Sequence, residues 1–384
     1  MDLDLPGEHA ILRDTVRAFL ADEVAPVVDA HERERRFPVE IVRRIGEMGW
    51  LGIPVPERWG GAGMDTLAYA VAVEEVARVW GSLALIVAAH TSLASGGILL
   101  GGTDEQRGAF LEPMASGRVL GGYGLTEPGA GSDASGIRTV ARRDGDTWII
   151  DGAKRFITNA GQAGTYVVAA RTGTSPRGRA EVGAFIVPAD TPGFSVGRLE
   201  EKLGLHASAT GELHLDGVRI PAGNVLGDPA DGLRLFLRIL DGGRISIGAL
   251  AVGLAQAAID AVVPYARERS QFGRPIGTFE AVAFRIADMA TEIAAARALV
   301  YRAAWLRDQG RDFGLAAAQA KLFASEVSAR ATNAALLTHG GYGYIEDYPV
   351  GRYLRDAKLT EIGEGTSDIQ RLVIARHILG LRVA

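Results

Sequence analysis

Three long Ala- and Leu-rich stretches, Gly232 through Arg267, Thr278 through Asp308 and Gly314 through Thr338, repeat apolar residues at helical spacing, and a fourth such pattern runs from Ser367 onward. Four helices of this kind point to an antiparallel bundle. The stretch from the N-terminus to about Arg118 is also helical in pattern: Ile11, Leu12, Val16, Phe19, Leu20 and Val24 recur at helical spacing, and Gly49 and Gly81 are expected to end helices. Between roughly Val119 and Gly227 the texture changes to short extended runs split by turn residues, such as "TWIIDG", "TYVVAAR", "GAFIVP" and "GELHLDGVRIP". In the last of these Leu213, Leu215 and either Val218 or Ile220 suggest alternation, and "GTSPRGRAE" reads as a hairpin tip. The expected fold is α+β and multidomain: an N-terminal all-α domain over 1–118, a middle antiparallel β domain over 119–228, and a C-terminal four-helix bundle over 229–384.

The 384 residues, 47% of them hydrophobic, suffice for real cores. A net charge of −5 gives no general pull toward nucleic acid or an anionic membrane surface, and neither is expected as a partner. With no cysteine, disulfides, thiolate chemistry and cysteine-ligated metal are excluded. The acidic start "MDLDLPGEHA" shows neither a signal-peptide nor a transit pattern, so the chain is expected to stay in the cytoplasm. The apolar stretch "LALIVAAHTSLASGGILLGG" is broken by His90, Thr91, Ser92 and paired glycines, and reads as a buried helix and not as a membrane span.

The glycine-rich stretches fail both the G-x-G-x-x-G and the G-x-x-x-x-G-K-[ST] spacing. His31-Glu32 lacks a second histidine four residues on, no G-x-S-x-G elbow occurs, and no metal site is expected. Three polar stretches remain. "YGLTEPGAGSD" (123–133) allows close backbone approach at Gly129 and Gly131 with hydroxyls from Thr126 and Ser132, and reads either as a cofactor loop or as a turn between strands. "KRFITNAG" alone is a strand end, and "HGGYGY" leads into "RYLRDAKLTEIGEGTSDIQ", where Glu364 lies between two glycines ahead of a helix.

Taken with "RERSQFGRPIG" and "YPVGRYLRDAK", the stretches "GLTEPGAGSD" (124–133), "KRFITNAG" and the block from "GGYGY" through "EGTSDIQ" (340–370) make the chain resemble the acyl-CoA dehydrogenase family over nearly its whole length. The resemblance implies FAD as cofactor, an acyl-CoA thioester as substrate, a trans-2-enoyl thioester as product and an electron-transfer flavoprotein as acceptor. It makes Glu364 the base that removes the α-proton, with Gly365 beside the substrate and the Glu364 backbone N–H on the thioester oxygen. Ser367 with Gln370 reads as a capping box behind it. The following helix N-terminus should favour the ionised acid, while exclusion of water should raise its pKa.

Further positions carry over. Tyr123, Leu125, Thr126 and Ser132 from the first signature, and Phe156, Ile157 and Thr158 from the second, are expected on the flavin; Ser132 also faces the acyl-CoA. Phe156 stands where a tryptophan is common in the family. Arg269, Gln271 and Phe272 match a segment reaching the adenosine side of a flavin held mainly by a neighbouring subunit, with Leu337, Gly340, Gly341, Thr366 and Asp368 also on the cofactor. The implied assembly is a homotetramer, a dimer of dimers. Leu337 replaces a usual glutamine and loses one side-chain hydrogen bond. Asp241 and Arg244 are expected on the substrate, and Gly243 occupies the position from which some branches supply their base. Glu127 and Asp133 are expected to serve their own loop, and His90, His206, His214 and His339 to be structural or at the surface.

Within the same fold an acyl-CoA oxidase or an acyl-carrier-protein dehydrogenase is the alternative, and peroxide release or indifference to free CoA thioesters would reveal them. A DNA-binding relative is the alternative of another class. Glu346, Asp347, Asp356, Glu361, Glu364 and Asp368 interleave with the basic residues of the C-terminal segment and weigh against it.

Overall fold

Residues 5–176 and 178–381 are described by the computed structural model. Part of the acidic N-terminal stretch (1–4), Arg177 in the expected hairpin tip and the last residues (382–384) of the expected bundle domain lie outside that range. The N-terminal helices are α1 (Gly7–Phe19), α2 (Val28–Glu34), α3 (Val39–Glu47) and α4 (Thr66–Val79), followed by α5 (Gly81–Gly101). The periodic residues of α1 face inward, with Val16 and Phe19 buried. Gly49 sits just past α3 at φ +77, a conformation in which glycine has no steric penalty. Gly81 does not end a helix but opens α5, because the break falls one residue earlier at Trp80, whose backbone is extended. Gly81 is small for packing: a Cβ there would lie 2.8 Å from Leu205 Cδ2. The α5 helix widens into a π-helical stretch over Ala89–Ser95 before it resumes at Gly96, a local widening that often marks functional positions.

The next elements are strands: β1 (Gly121–Gly124), β2 (Val140–Asp144), β3 (Thr147–Thr158), β4 (Thr165–Thr174), β5 (Ala180–Pro188), β6 (Phe194–Leu199) and β7 (Thr210–Pro221). They form one sheet in the order β1, β4, β2, β3, β7, β6, with β5 on β4. The pairs β2–β3, β3–β7, β4–β5 and β6–β7 are antiparallel; β1, which enters from the helical region, runs parallel to β4. In β7 both phases of the sequence pattern are buried. Leu213 and Leu215 face the core, exposed Asp216 and Gly217 (φ +62) insert a step, and Val218 and Ile220 face the core again.

The C-terminal helices are α6 (Gly232–Glu268), α7 (Glu280–Asp308), α8 (Gly314–His339), α9 (Val350–Ile362) and α10 (Ser367–Leu379). The α9 helix adds a fifth to the four read from periodicity. Its buried residues include Asp356 and Thr360 beside Val350 and Ala357, so the inward face carries no apolar stripe to read. The α6 helix is the central element, packed on α4, α5, α7, α8 and α9. Among the described residues α5 and α6 are long and apolar enough to cross a membrane, and both are mostly buried inside the fold.

Polar ties join the three regions. Glu32 of α2 accepts from Trp80 Nε1 at 2.6 Å and from the His206 backbone N–H at 2.9 Å, while Asp356 of α9 accepts from the neighbouring Leu205 N–H at 2.6 Å. At the other end Asp308 of α7 accepts the Thr66 and Leu67 N–H groups at 2.8 and 3.0 Å, which satisfies orphan donors at the start of α4.

Candidate active site

Between α9 and α10 the chain turns through Gly363, Glu364, Gly365 and Thr366. Glu364 has φ +54 and Gly365 φ +93, so two consecutive residues lie in the left-handed region. For the glutamate this conformation costs roughly 1–2 kcal/mol and persists only where neighbours enforce it. The enforcing contacts fall on two loop carbonyls: Gly365 O accepts from Lys321 Nζ at 2.7 Å and from Gln370 Nε2 at 2.9 Å, and Glu364 O accepts from the same Gln370 Nε2 at 3.4 Å. Thr366 caps α10 by accepting from Ile369 N–H at 3.3 Å. The capping box expected from Ser367 and Gln370 is therefore not formed, because Ser367 is already inside the helix and Gln370 turns back onto the loop.

The Glu364 residue keeps some exposed surface, but its Oε2 is buried and accepts no hydrogen bond. It faces Gly243 of α6 and Leu93 of α5. A Cβ at 243 would overlap the carboxylate, with Glu364 Cδ only 3.0 Å away and Leu93 Cδ2 at 2.7 Å. Burial pushes the Glu364 carboxyl up to about 8, against the opposing pull of Lys321 and Arg244. Desolvation is the largest of these influences, and a carboxylate in this state is matched to removing a weakly acidic proton.

Arg244, buried on α6, donates from Nη1 to Asp241 Oδ1 at 2.5 Å, while its Nε–H is buried without an acceptor. Burial raises the Asp241 carboxyl above its usual range, and Arg244 opposes the shift. The pair thus sits one turn or less from Gly243. Tyr123 of β1 donates from its hydroxyl to Phe236 O at 3.1 Å, and its ring packs on Phe236 at 4.9 Å. Buried Ser92 and Ser246 lie 3.0 Å apart, with Ser246 donating to Gly243 O.

A second group of predicted residues lies on the β domain. Leu125 is buried, Thr126 O accepts the Arg155 N–H at 2.9 Å, and the register of β3 on β7 shifts between Lys154 and Ile157. This bulge places Phe156 at φ +59 with 59% of its surface exposed, while Ile157 is buried and Thr158 partly so. Phe156 thus presents an exposed ring with the Arg155 guanidinium 5.2 Å from its centre. Gly129 and Gly131 have open space around them, and Ser132 is exposed.

The acidic residue of that loop serves its own fold, as expected. Glu127 accepts from Arg138 N–H at 2.6 Å, Thr139 N–H at 3.0 Å and Lys154 Nζ at 2.7 Å, and Lys154, fully buried, also donates to Leu125 O at 3.3 Å. Breaking a buried pair of this kind costs about 3–5 kcal/mol, because one charge is left without its partner. Lys154→Met should therefore lower the thermal unfolding midpoint clearly, and the double variant Lys154→Met, Glu127→Gln, which removes the stranded charge but keeps an acceptor for the backbone N–H groups, should recover part of the loss. Equal midpoints for wild type and Lys154→Met would refute this role.

A third group surrounds a cavity of about 540 Å³ lined by Arg269, Gln271, Gly340 and Gly341 together with Tyr265, His339 and Tyr342. Arg269 lies over the Tyr342 ring at 5.3 Å, and Gly340 adopts φ +60. Phe272 projects from the tip of a small hairpin with 93% of its surface exposed, and Leu337 is exposed on α8. Asp368 lies at the surface, 3.5 Å from Arg371. Among the described residues no His, Asp and Glu cluster could hold a metal ion.

Sequence reasoning missed Lys321. It was nevertheless visible as the one lysine at a buried position of the Ala-rich α8 pattern, in phase with Ala317, Ala324 and Ser328.

Comparison with known proteins gives three matches to family descriptions: "Acyl-CoA dehydrogenase, N-terminal domain" over residues 6–118, "middle domain" over 122–218 and "C-terminal domain" over 230–379. A probable acyl-CoA dehydrogenase of Bacillus subtilis is 51% identical over 379 residues, covering 99% of this chain and 100% of that protein. The butyryl-CoA dehydrogenase structure of Megasphaera elsdenii superposes with a TM-score of 0.96 at 40% identity, over 99% of this chain and 100% of its own. A chain in a structure of the electron transferring flavoprotein of Acidaminococcus fermentans matches with a TM-score of 0.97 at 42% identity, over 99% and 100% of the two chains.

Proposed function

The chain belongs to the acyl-CoA dehydrogenase family and is an oxidoreductase, and from that premise we propose that it oxidises a short acyl-CoA across the Cα–Cβ bond with Glu364 as the base. The observation that carries the reading is the Glu364 Oε2: buried, without a hydrogen-bond donor, and facing a glycine that leaves room beside it. FAD is the cofactor, and when bound it supplies the acceptor for the hydride that leaves the β-carbon.

The residues present fit that group. Phe156 offers an exposed ring, Gly129 and Gly131 permit close backbone approach, and Arg269, Gln271, Gly340 and Gly341 line a cavity of their own. Leu125, Thr126, Ile157 and Thr158 would hold the flavin side; Ser132, Thr366 and Asp368 would take its polar parts or the CoA. Tyr123 would contribute its ring, since its hydroxyl is taken by Phe236 O. Phe272, exposed at a hairpin tip, and Leu337 would contact cofactor across a subunit boundary, which makes a homotetramer part of the proposal.

The chain's own residues divide the work. Desolvation makes the Glu364 carboxylate basic enough to take the α-proton onto Oε2. The Glu364 N–H, without a backbone acceptor among the described residues, would donate to the thioester oxygen as negative charge develops there. Arg244, braced by Asp241, has an unused buried Nε–H for the polar arm of the CoA thioester. Leu93 and the α5 stretch around it wall the acyl side, and the likeness to a butyryl-CoA dehydrogenase favours a short chain. A soluble electron-transfer flavoprotein as acceptor is favoured by the matching chain in such a structure, and bacterial relatives favour a cytoplasmic setting.

Anaerobic titration of the purified flavoprotein with straight acyl-CoAs from C4 to C16, and with branched C4 and C5 thioesters, tests the reading. Bleaching of the flavin band by the short members is expected. No bleaching by any member would overturn it.

A further inference from the structure

Resting on the assignment of Glu364 as the base, we propose that Lys321 is a positioning residue for the reaction: it pins the base loop and favours the ionised carboxylate without bonding to it. Lys321 is fully buried in α8, and its ammonium donates to the Gly365 carbonyl at 2.7 Å instead of to a carboxylate. Burying an ammonium is expensive and is tolerated only where the charge is used or compensated. The Gly365 carbonyl it holds belongs to the residue after Glu364, and both residues adopt positive φ. Pulling that carbonyl toward α8, with Gln370 as the second donor, keeps the loop in the turn that presents the acid to Gly243.

The indirect link has a chemical consequence. A base locked in a close ion pair spends its lone pairs on the partner and becomes weak. A charge held nearby by another anchor favours ionisation and leaves Oε2 free, as it is here. Among the described residues the titratable groups acting on this pair are Arg244 from α6, Glu361 from α9, Tyr69 from α4 and Tyr123 from β1. Arg244 is the other cation acting on Glu364, and it is tied to Asp241. Burial pushes the Lys321 ammonium down to about 8, while Glu364 draws it back up, so each group steadies the charge of the other.

The test is the pH profile of anaerobic flavin reduction by the best acyl-CoA, on FAD-loaded wild type, Lys321→Met and Lys321→Arg. Removing the cation makes the carboxylate harder to ionise, so the acid limb of Lys321→Met should move to higher pH by about one unit or more. At pH 7 the rate should then fall about tenfold or more, recovering at alkaline pH, with kcat affected more than KM. Lys321→Arg, which keeps the charge, should return the limb toward wild type. If Lys321→Met does not yield folded holoenzyme, Lys321→Gln replaces it in the same comparison. An acid limb that stays in place when the cation is gone overturns the inference, whatever happens to the rate. A wild-type flavin that no acyl-CoA bleaches overturns the assignment of the base and this inference with it.

Discussion

Glu364→Gln should lower the rate of anaerobic flavin reduction by acyl-CoA by about 10²- to 10⁴-fold, the contribution expected of a positioned general base. The amide matches the acid in shape, and neither carboxylate oxygen is needed to hold the loop, which is fixed through Gly365 O and the Thr366 cap. FAD content and the circular dichroism spectrum should therefore be retained. The pH dependence follows from burial. With Glu364 as the proposed base the reaction needs the ionised acid, and the carboxyl is pushed up to about 8, so the wild-type rate should rise with pH through that region and fall as the solution becomes more acid. In Glu364→Gln that rise should vanish, leaving a low, flat profile. A variant that bleaches as fast as wild type would move the base elsewhere, although Glu364 is the one acid among the atoms nearest a Cβ at Gly243.

The expected site came from the resemblance that its motifs carry together; taken singly, a glycine-rich loop with hydroxyls reads equally as a turn, and an aromatic at the end of an extended run as a strand end. Other parts were hidden for physical reasons. The α9 helix buries Asp356 and Thr360, so its inward face looks polar in the sequence and hides the periodicity that reveals helices. Lys321 is in phase with the buried small residues of α8, but only three-dimensional packing places its ammonium beneath the Glu364 loop. The bulge that turns Phe156 outward depends on the register of β3 against β7, a long-range pairing that local sequence does not encode. The error over the capping box is of the same kind: Thr366 and Ser367 are both good caps, and the loop's anchorage to α8 decides between them.

Gly243→Ala should disable the enzyme through a single methyl group. Helix propensity argues for the change, since alanine in the middle of α6 is worth roughly 1 kcal/mol over glycine. Packing argues against it, because forcing a methyl into a filled site costs typically about 1–3 kcal/mol. Here the methyl would meet Leu93 Cδ2 at 2.7 Å and overlap the Glu364 carboxylate. The two effects leave a net loss of no more than about 2 kcal/mol in stability, so the thermal midpoint should fall only modestly, but they do not offset each other in geometry. The carboxylate is the softer neighbour, since its Oε2 has no hydrogen bond to resist displacement, and it should swing away from the space where a substrate α-carbon would lie. A shift of about 1 Å at a reacting group costs on the order of 100-fold, and kcat/KM should fall by at least that much. Gly253→Ala on the same helix is the control. Its methyl would run into the Glu74 carbonyl and lie 2.6 Å from Ala77 Cβ, on the side of α6 that packs against α4. It should lower the midpoint while leaving flavin reduction near wild type. If Gly243→Ala instead keeps its activity, the carboxylate does not work from the place described, and the empty position opposite it is a matter of packing alone.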